Sequence, residues 1–331
     1  MIRIIEAMDI ATEQWQQLVD SSPTASFFQT KECYDFYSSL SFLDPFVFGV
    51  SENGKLAGLI CGYIIADGGS LKQFFSRRAI VPGGLLLDRQ ISAEALKMLL
   101  TFSIKTLKKK AIYVELRNYN DYSPYKKQIE QTGFVYGQHF DLHAFIDDKT
   151  EQRFSKSKRR QIKTAQKNDV QYFETEDIVD IETFYRILTN LYSKQIKLPL
   201  FPLEFFLKLS QLPQGKILVI KHNNTVIGGM ACVELPGKAL YEWFVCGNER
   251  VKKQLYSSVM ATWAGIDYAI QHKISMFDFM GAGKPSNNYG VREFKSKFGG
   301  KLVEYGRFVC VTKSLRYSIG KFVVKKLKKH K

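Results

Sequence analysis

A Gly-flanked segment near the end of the second half carries a lysine that could do chemistry. Lys295 lies in the run Gly290-Val291-Arg292-Glu293-Phe294-Lys295-Ser296-Lys297-Phe298-Gly299-Gly300. A cation fixed beside a tetrahedral intermediate stabilises its developing oxyanion. The plainer alternative is an exposed lysine on a short basic helix, beside Arg292 and Lys297. Upstream, Asp278-Phe279-Met280-Gly281-Ala282-Gly283-Lys284-Pro285 leads into Asn287, Asn288 and Tyr289. Gly281 and Gly283 would let the backbone approach a ligand closely, and polar side chains at a strand end often line a cleft. Asp278 could orient an amine or act as a base. Glu115 holds the same place in the first half of the chain, which points instead to a structural role shared by both halves.

Further basic residues suit phosphates. Lys194 and Lys197 sit beside Pro199 and Pro202 in an expected surface loop. Arg159 and Arg160 fall on an expected helix whose only apolar anchors are Ile162 and Ala165, so one face is almost wholly basic. Such a face would contact tRNA or substrate phosphates through sequence-independent charge. His139, Asp141 and His143 alternate, so they share one side of a strand. An exposed polar strand face is expected there rather than a metal site. The five cysteines, at 33, 61, 232, 246 and 310, form no C-x-x-C pair and read as scattered, reduced, buried thiols.

Positioning these residues takes a framework that occurs twice. Pro45–Val50 and Leu56–Ile65 read as strands around Asn53-Gly54, a pair suited to a type I′ turn. Lys216–Lys221 and Val226–Glu234 repeat the hairpin around Asn223-Asn224, 170 residues later. Each half then has an extended segment (Gln73–Ile80; Leu240–Cys246) and an amphipathic helix. The first helix follows Ser92 with Leu96, Leu99, Leu100 and Leu107 on one face; the second runs about Leu255–His272. A short strand, a loop, a short basic helix and a Gly turn close each half, and the Gly turns, Gly133 and Gly299, lie 166 residues apart. The result is an α+β fold, and the order of elements resembles the GNAT acyltransferase fold twice in tandem, which implies two GNAT-like domains, each a mixed sheet flanked by helices. The expected boundaries are 1–148, 149–312 and a basic amphipathic tail, 313–331.

The chain has 331 residues, enough for two domains. Its formal net charge of +16 is concentrated: residues 151–167 hold seven basic residues and one acid, and 313–331 hold eight and none. The remainder is near neutral, so specific anionic partners are expected. In the tail, Leu315, Ile319, Phe322, Val323 and Leu327 share a helical face, a pattern suited to an anionic membrane surface. Met1–Trp15 does not read as a signal peptide and no apolar stretch is long enough to span a bilayer. A cytoplasmic protein, peripheral on the inner face of the membrane, is the expectation.

Residues 278–307 resemble the FemABX family of peptidoglycan-bridge aminoacyltransferases. The likeness lies in the Gly-containing strand end, Gly290-Val291, Phe294-Lys295 and Phe298-Gly299-Gly300. The basic segment Ser155–Ala165 and the stretch Leu191–Phe206 resemble that family's second-domain opening and a later loop. The resemblance implies aminoacyl transfer from aminoacyl-tRNA to an amine of a muramyl-peptide or lipid-linked precursor, by direct attack. It implies a catalytic Phe294-Lys295 pair. Lys194, Lys197, Arg159, Arg160, Tyr289, Arg292, Gly281 and Gly283 would bind substrate, with no metal and no cofactor. No long coiled arm is present, as in compact members, and lysines stand at 193–199 where typical members place arginine. Two alternatives stay open. One is an acyl-CoA-dependent N-acyltransferase acting on a sugar nucleotide or polysaccharide. For it, Val81–Leu85 and Gly247–Gln254 are poor CoA loops, while a groove at 248–256 would favour it. The other is a non-catalytic nucleic-acid or membrane binding protein.

Overall fold

The structure, a computed structural model, describes residues 1–248, 250–285 and 290–329; for 70–72, 321 and 323–329 it describes the backbone alone. The chain forms two compact units, Met1–His139 with Tyr305–Lys331, and Phe140–Glu304. The first contains β1 (Ile2–Glu6), β2 (Asp44–Glu52), β3 (Lys55–Ile65), β4 (Arg78–Gly83), β5 (Leu85–Leu87), β6 (Tyr113–Asn118) and β7 (Val135–Gly137). The second contains β8 (Phe140–Phe145), β9 (Gln171–Glu174), β10 (Gly215–His222), β11 (Thr225–Leu235), β12 (Ala239–Gly247), β13 (Met276–Asp278) and β14 (Lys301–Glu304). A last strand, β15 (Arg307–Val311), returns to the first unit. The sheets run β1-β2-β3-β4-β6-β15-β7, with β5 on β3, and β14-β8-β13-β12-β11-β10-β9. Both are mixed: β4–β6 and β12–β13 are parallel.

The tandem plan is present as expected. Asn53 and Gly54 (φ 53° and 82°) close β2–β3, and Asn223 and Asn224 (φ 47° and 57°) close β10–β11. Both residues of each turn take positive φ, which Asn and Gly tolerate best. Ser92 caps the helix Ala93–Leu107 by accepting from the Ala95 N–H, and that helix buries Leu96, Leu99 and Leu100 in the first core. Each such leucine contributes about 1.5–3 kcal/mol through burial. The helix Ser257–Gln271 buries Val259, Met260 and Ile266 in the second core.

Three expectations are corrected. The division does not fall at 148/149 and 312/313. β8 pairs with β13 and β14 of the second sheet, while β15 pairs with β6 and β7 of the first. The repeat shows where each half closes along the chain, but pairing depends on which sheet leaves an edge to be filled. Because β8 is thereby an interior strand, Asp141 and His143 are buried at 3% and 4% exposure, not displayed on an open face. Finally, Gln73–Ile80 is not extended throughout: Ser70–Ser76 is helical and the strand starts at Arg78. Packing on the terminal helix Ser314–Lys329, with Arg316 lying 3.8 Å over the Phe74 ring, overrides the local β pattern.

Candidate active site

β12 and β13 stay paired for only three residue pairs, Ala239–Met276, Leu240–Phe277 and Tyr241–Asp278. Beyond them β12 continues to Gly247, while the other chain turns away through Met280 and Gly281, at φ 45° and 63°. Parting strands strand their backbone carbonyls, which must find other donors when buried. Lys295 supplies them. Its ammonium donates to the Phe279 carbonyl and to the Met280 carbonyl at 2.8 Å, and lies 3.1 Å from Glu242 Oε1. An ammonium has three N–H donors, and here all three meet acceptors. Lys295 is therefore 7% exposed and is not the open surface lysine of the plainer sequence alternative. Glu242 follows the last paired residue of β12. Burial pushes its carboxyl above the usual range, Lys295 offsets part of that push, and Asp278 adds to it.

The turn after β13 is held from below as well. Asp278 accepts the Met280 N–H at 2.7 Å, and Asp141 accepts the Gly281 N–H. His143 Nε2 lies 3.3 Å from Asp278 Oδ2. Burial alone would lower the His143 pKa, but the Asp278 carboxylate, helped by Asp141, outweighs burial and holds it above 6.5. A raised folded value means the folded state binds the proton more tightly. The contribution of His143 to stability is therefore full below the unfolded value and lost as pH rises through the folded one. An NMR titration of the ring should place His143 above 6.5. Asp278→Asn should bring it down, and a wild-type value at or below 6.5 would contradict the pairing.

Arg292 and Phe294 brace the same loop. Arg292 donates to the carbonyls of Ala282 (2.8 Å) and Lys284 (2.6 Å), and its guanidinium lies 4.8 Å over Phe140. Gly283 accepts the Phe140 N–H at 2.9 Å. Phe294 packs on Phe298 and carries the ammonium of Lys158 over its ring at 3.7 Å. The structure thus brings Lys295, Phe294, Arg292, Gly281 and Gly283 into one constellation. Sequence reasoning passed over Glu242 and Lys158. Glu242 is a lone acid in an apolar strand, and Lys158 falls at i, i+4, i+7 with Ile162 and Ala165, the buried face of the helix Lys156–Lys167. Tyr289, like Asn287 and Asn288, lies outside the described residues.

The other cations occupy different places. Arg159 and Arg160, with Lys156, Lys163 and Lys167, line an open groove of about 420 Å³ along the exposed face of that helix. Lys194 sits in a π-helical turn, Tyr192–Ile196, and lines a hollow of about 150 Å³ with Asn190, Gly247, Asn248 and Arg250. Lys197, at φ 55°, ends that turn and is exposed. Only glycine fits at 247, because a Cβ there would lie 2.2 Å from the Ser258 nitrogen. β12 thereby ends against the start of the helix Ser257–Gln271, which has no side-chain cap for its first N–H groups. Cys232 and Cys246 are buried and their thiols are pushed up by burial, so neither suits a nucleophile.

The sequence pattern of the FemAB family matches residues 220–325. No curated protein matches the chain. Among solved structures, the chain is similar to the crystal structure of FemX, with a TM-score of 0.72 and 13% identity, covering 96% of this chain and 99% of that one. It is also similar to the C-terminal domain of a putative lysylphosphatidylglycerol synthetase from Agrobacterium fabrum (TM-score 0.60, 11% identity, 96% and 95% covered). A tandem GNAT protein from the clavulanic acid biosynthesis pathway has the same fold (TM-score 0.59, 10% identity, 94% and 99% covered). The FemAB pattern spans β12, β13 and the helix that delivers Lys295, about a third of the chain, while the chain as a whole has the tandem GNAT fold that FemX also has.

Proposed function

We propose that this protein transfers an aminoacyl group from aminoacyl-tRNA to the amine of a muramyl-peptide precursor of peptidoglycan, free or lipid-linked. The observation that carries the reading is the FemAB match over the segment that builds the Lys295 constellation. The acceptor nitrogen attacks the ester carbonyl carbon, a C–N bond forms and the ester C–O bond breaks. The tRNA leaves as its ribose hydroxyl, taking the proton the amine gives up. Buried, protonated thiols favour this direct route over an acyl-enzyme. Positioning supplies most of the rate. Lys295 acts in it as a positioning residue, fixing the strand end whose backbone borders the site. The basic face of Lys156–Lys167 holds tRNA phosphates. Similarity to the C-terminal domain of a lysylphosphatidylglycerol synthetase is in keeping with a lipid-linked acceptor.

A second reading has one observation in its favour. The hollow beside Gly247, Asn248 and Arg250 lies where an acyl-CoA enzyme would hold a pyrophosphate. Its volume of about 150 Å³ is below the roughly 300 Å³ at which pockets for whole cofactors begin. The deciding experiment incubates the protein with a mixture of aminoacyl-tRNAs and UDP-MurNAc-pentapeptide, and in parallel with acetyl-CoA. A gain of one aminoacyl residue in the muramyl peptide is expected. Product only with acetyl-CoA would overturn the tRNA donor, and no turnover with either would overturn the enzyme reading.

A further inference from the structure

The first unit holds a second concentration of cations, on elements that take no part in the Lys295 constellation. Arg77, Lys109, Lys110, Lys313 and Arg316 converge on a hollow of about 240 Å³ whose rim includes Phe74. One carboxylate, Asp44, stands against them, 2.9 Å from Lys110. The potential there is positive enough to act on the lysine at its centre. Burial and then the charges of Arg316, Arg77 and Lys108 hold the Lys313 ammonium below its ordinary pKa.

Beside the hollow lies the terminal helix Ser314–Lys329. Its described contacts with the rest of the first unit include Tyr317 and Gly320. Tyr317 packs on Tyr113 with ring centroids 5.5 Å apart, and a Cβ at Gly320 would lie 2.7 Å from the Phe75 carbonyl oxygen. At 100° per residue, Leu315, Ile319 and Phe322 fall on the opposite side, where they are 75%, 40% and 62% exposed. Phe74 is 48% exposed under the Arg316 guanidinium. Cations beside outward aliphatic and aromatic side chains have a particular complement. Nucleic acid would use the charges but has no use for Leu315 and Ile319. A bilayer surface takes both, with phosphates for the cations and the acyl boundary for the apolar side chains.

We propose that the first unit docks on an anionic phospholipid surface. Arg77, Lys109, Lys110, Lys313 and Arg316 would receive a head-group phosphate, and Leu315, Ile319 and Phe322 would enter the interface. The site is composite: Arg77 and Lys109 lie more than two hundred residues before the helix and line the same hollow as Lys313 and Arg316.

The test is co-sedimentation of the full chain with phosphatidylcholine vesicles, with or without about one third phosphatidylglycerol. Wild type should bind only the anionic vesicles, and more weakly as salt rises. Each basic residue near such a surface is worth about fivefold in binding, so Arg77→Glu with Lys109→Glu should weaken it by roughly 25-fold or more. Both residues are exposed, so far-UV circular dichroism should not change. Leu315→Ser with Ile319→Ser should also weaken vesicle binding while leaving tRNA binding alone. Unchanged binding in the Arg77/Lys109 variant would overturn the composite site in favour of the tail alone. Full binding by the Leu315/Ile319 variant, with tRNA displacing the vesicles, would overturn the lipid surface in favour of RNA.

Discussion

Lys295→Ala should cost the second unit about 3–5 kcal/mol, as removal of one partner of a buried ion pair does. The deletion leaves Glu242 without its cation at the centre of the sheet and leaves the Phe279 and Met280 carbonyls without donors. Each buried acceptor so orphaned costs about 1–3 kcal/mol. Two of the three tryptophans, Trp243 and Trp263, are in the second unit, so the loss should show as an earlier fluorescence transition in urea. The variant should also gain a pH dependence. Burial and Asp278 already raise the Glu242 carboxyl, and Lys295 is what offsets them. Without it the carboxyl rises further. A raised folded pKa gives stability that is full at low pH and lost as pH rises through that value, so the variant should be least stable in neutral and alkaline buffer. Lys295→Met combined with Glu242→Gln removes both charges and should recover part of the stability but not the rate, because the carbonyls still lack a cation. A Lys295→Ala protein that unfolds with the wild type and has merely lost turnover would mean that the ammonium meets substrate.

The same lysine shows how far the sequence could be read. Gly spacing and the Phe-Lys pair drew attention to it, and the tandem fold was legible because turn residues and helical periodicity are local signals. What was illegible depends on contacts between distant segments. Nothing local says that Lys295 turns inward, since that follows from where β12 and β13 part and from Glu242, more than fifty residues earlier. Asp141 and His143 looked like an exposed alternation because the exchange of β8 and β15 between sheets is a matter of free edges, not of composition. Lys158 was read with Arg159 and Arg160 as one charged run. The helix turns it through 100° to the buried side, over Phe294, and leaves its neighbours in water.

That separation on one helix sets up the second large effect. Arg159→Gln, Arg160→Gln and Lys163→Gln together should weaken tRNA binding by about 10²-fold near physiological salt, with no change in fold. All three side chains are exposed on the groove face, while Lys158, Ile162 and Ala165 keep the helix seated. Glutamine has nearly the helix propensity of lysine and arginine, so the scaffold is preserved. The dependence on salt is the sharper readout. Each phosphate neutralised contributes about −0.7 to −0.9 to the slope of log K against log salt, so the triple variant's slope should be shallower by roughly 2–3. The loss should be the same for tRNAs of different sequence, whichever of them serves the proposed transfer, since charge reads no sequence. A small donor analogue carrying only the aminoacylated terminal nucleotides should react equally well with both proteins, which separates grip on the tRNA body from events at the carbonyl. An unchanged slope would place the tRNA elsewhere, and Lys194 with Arg250 at the end of β12 would be the next cations to neutralise.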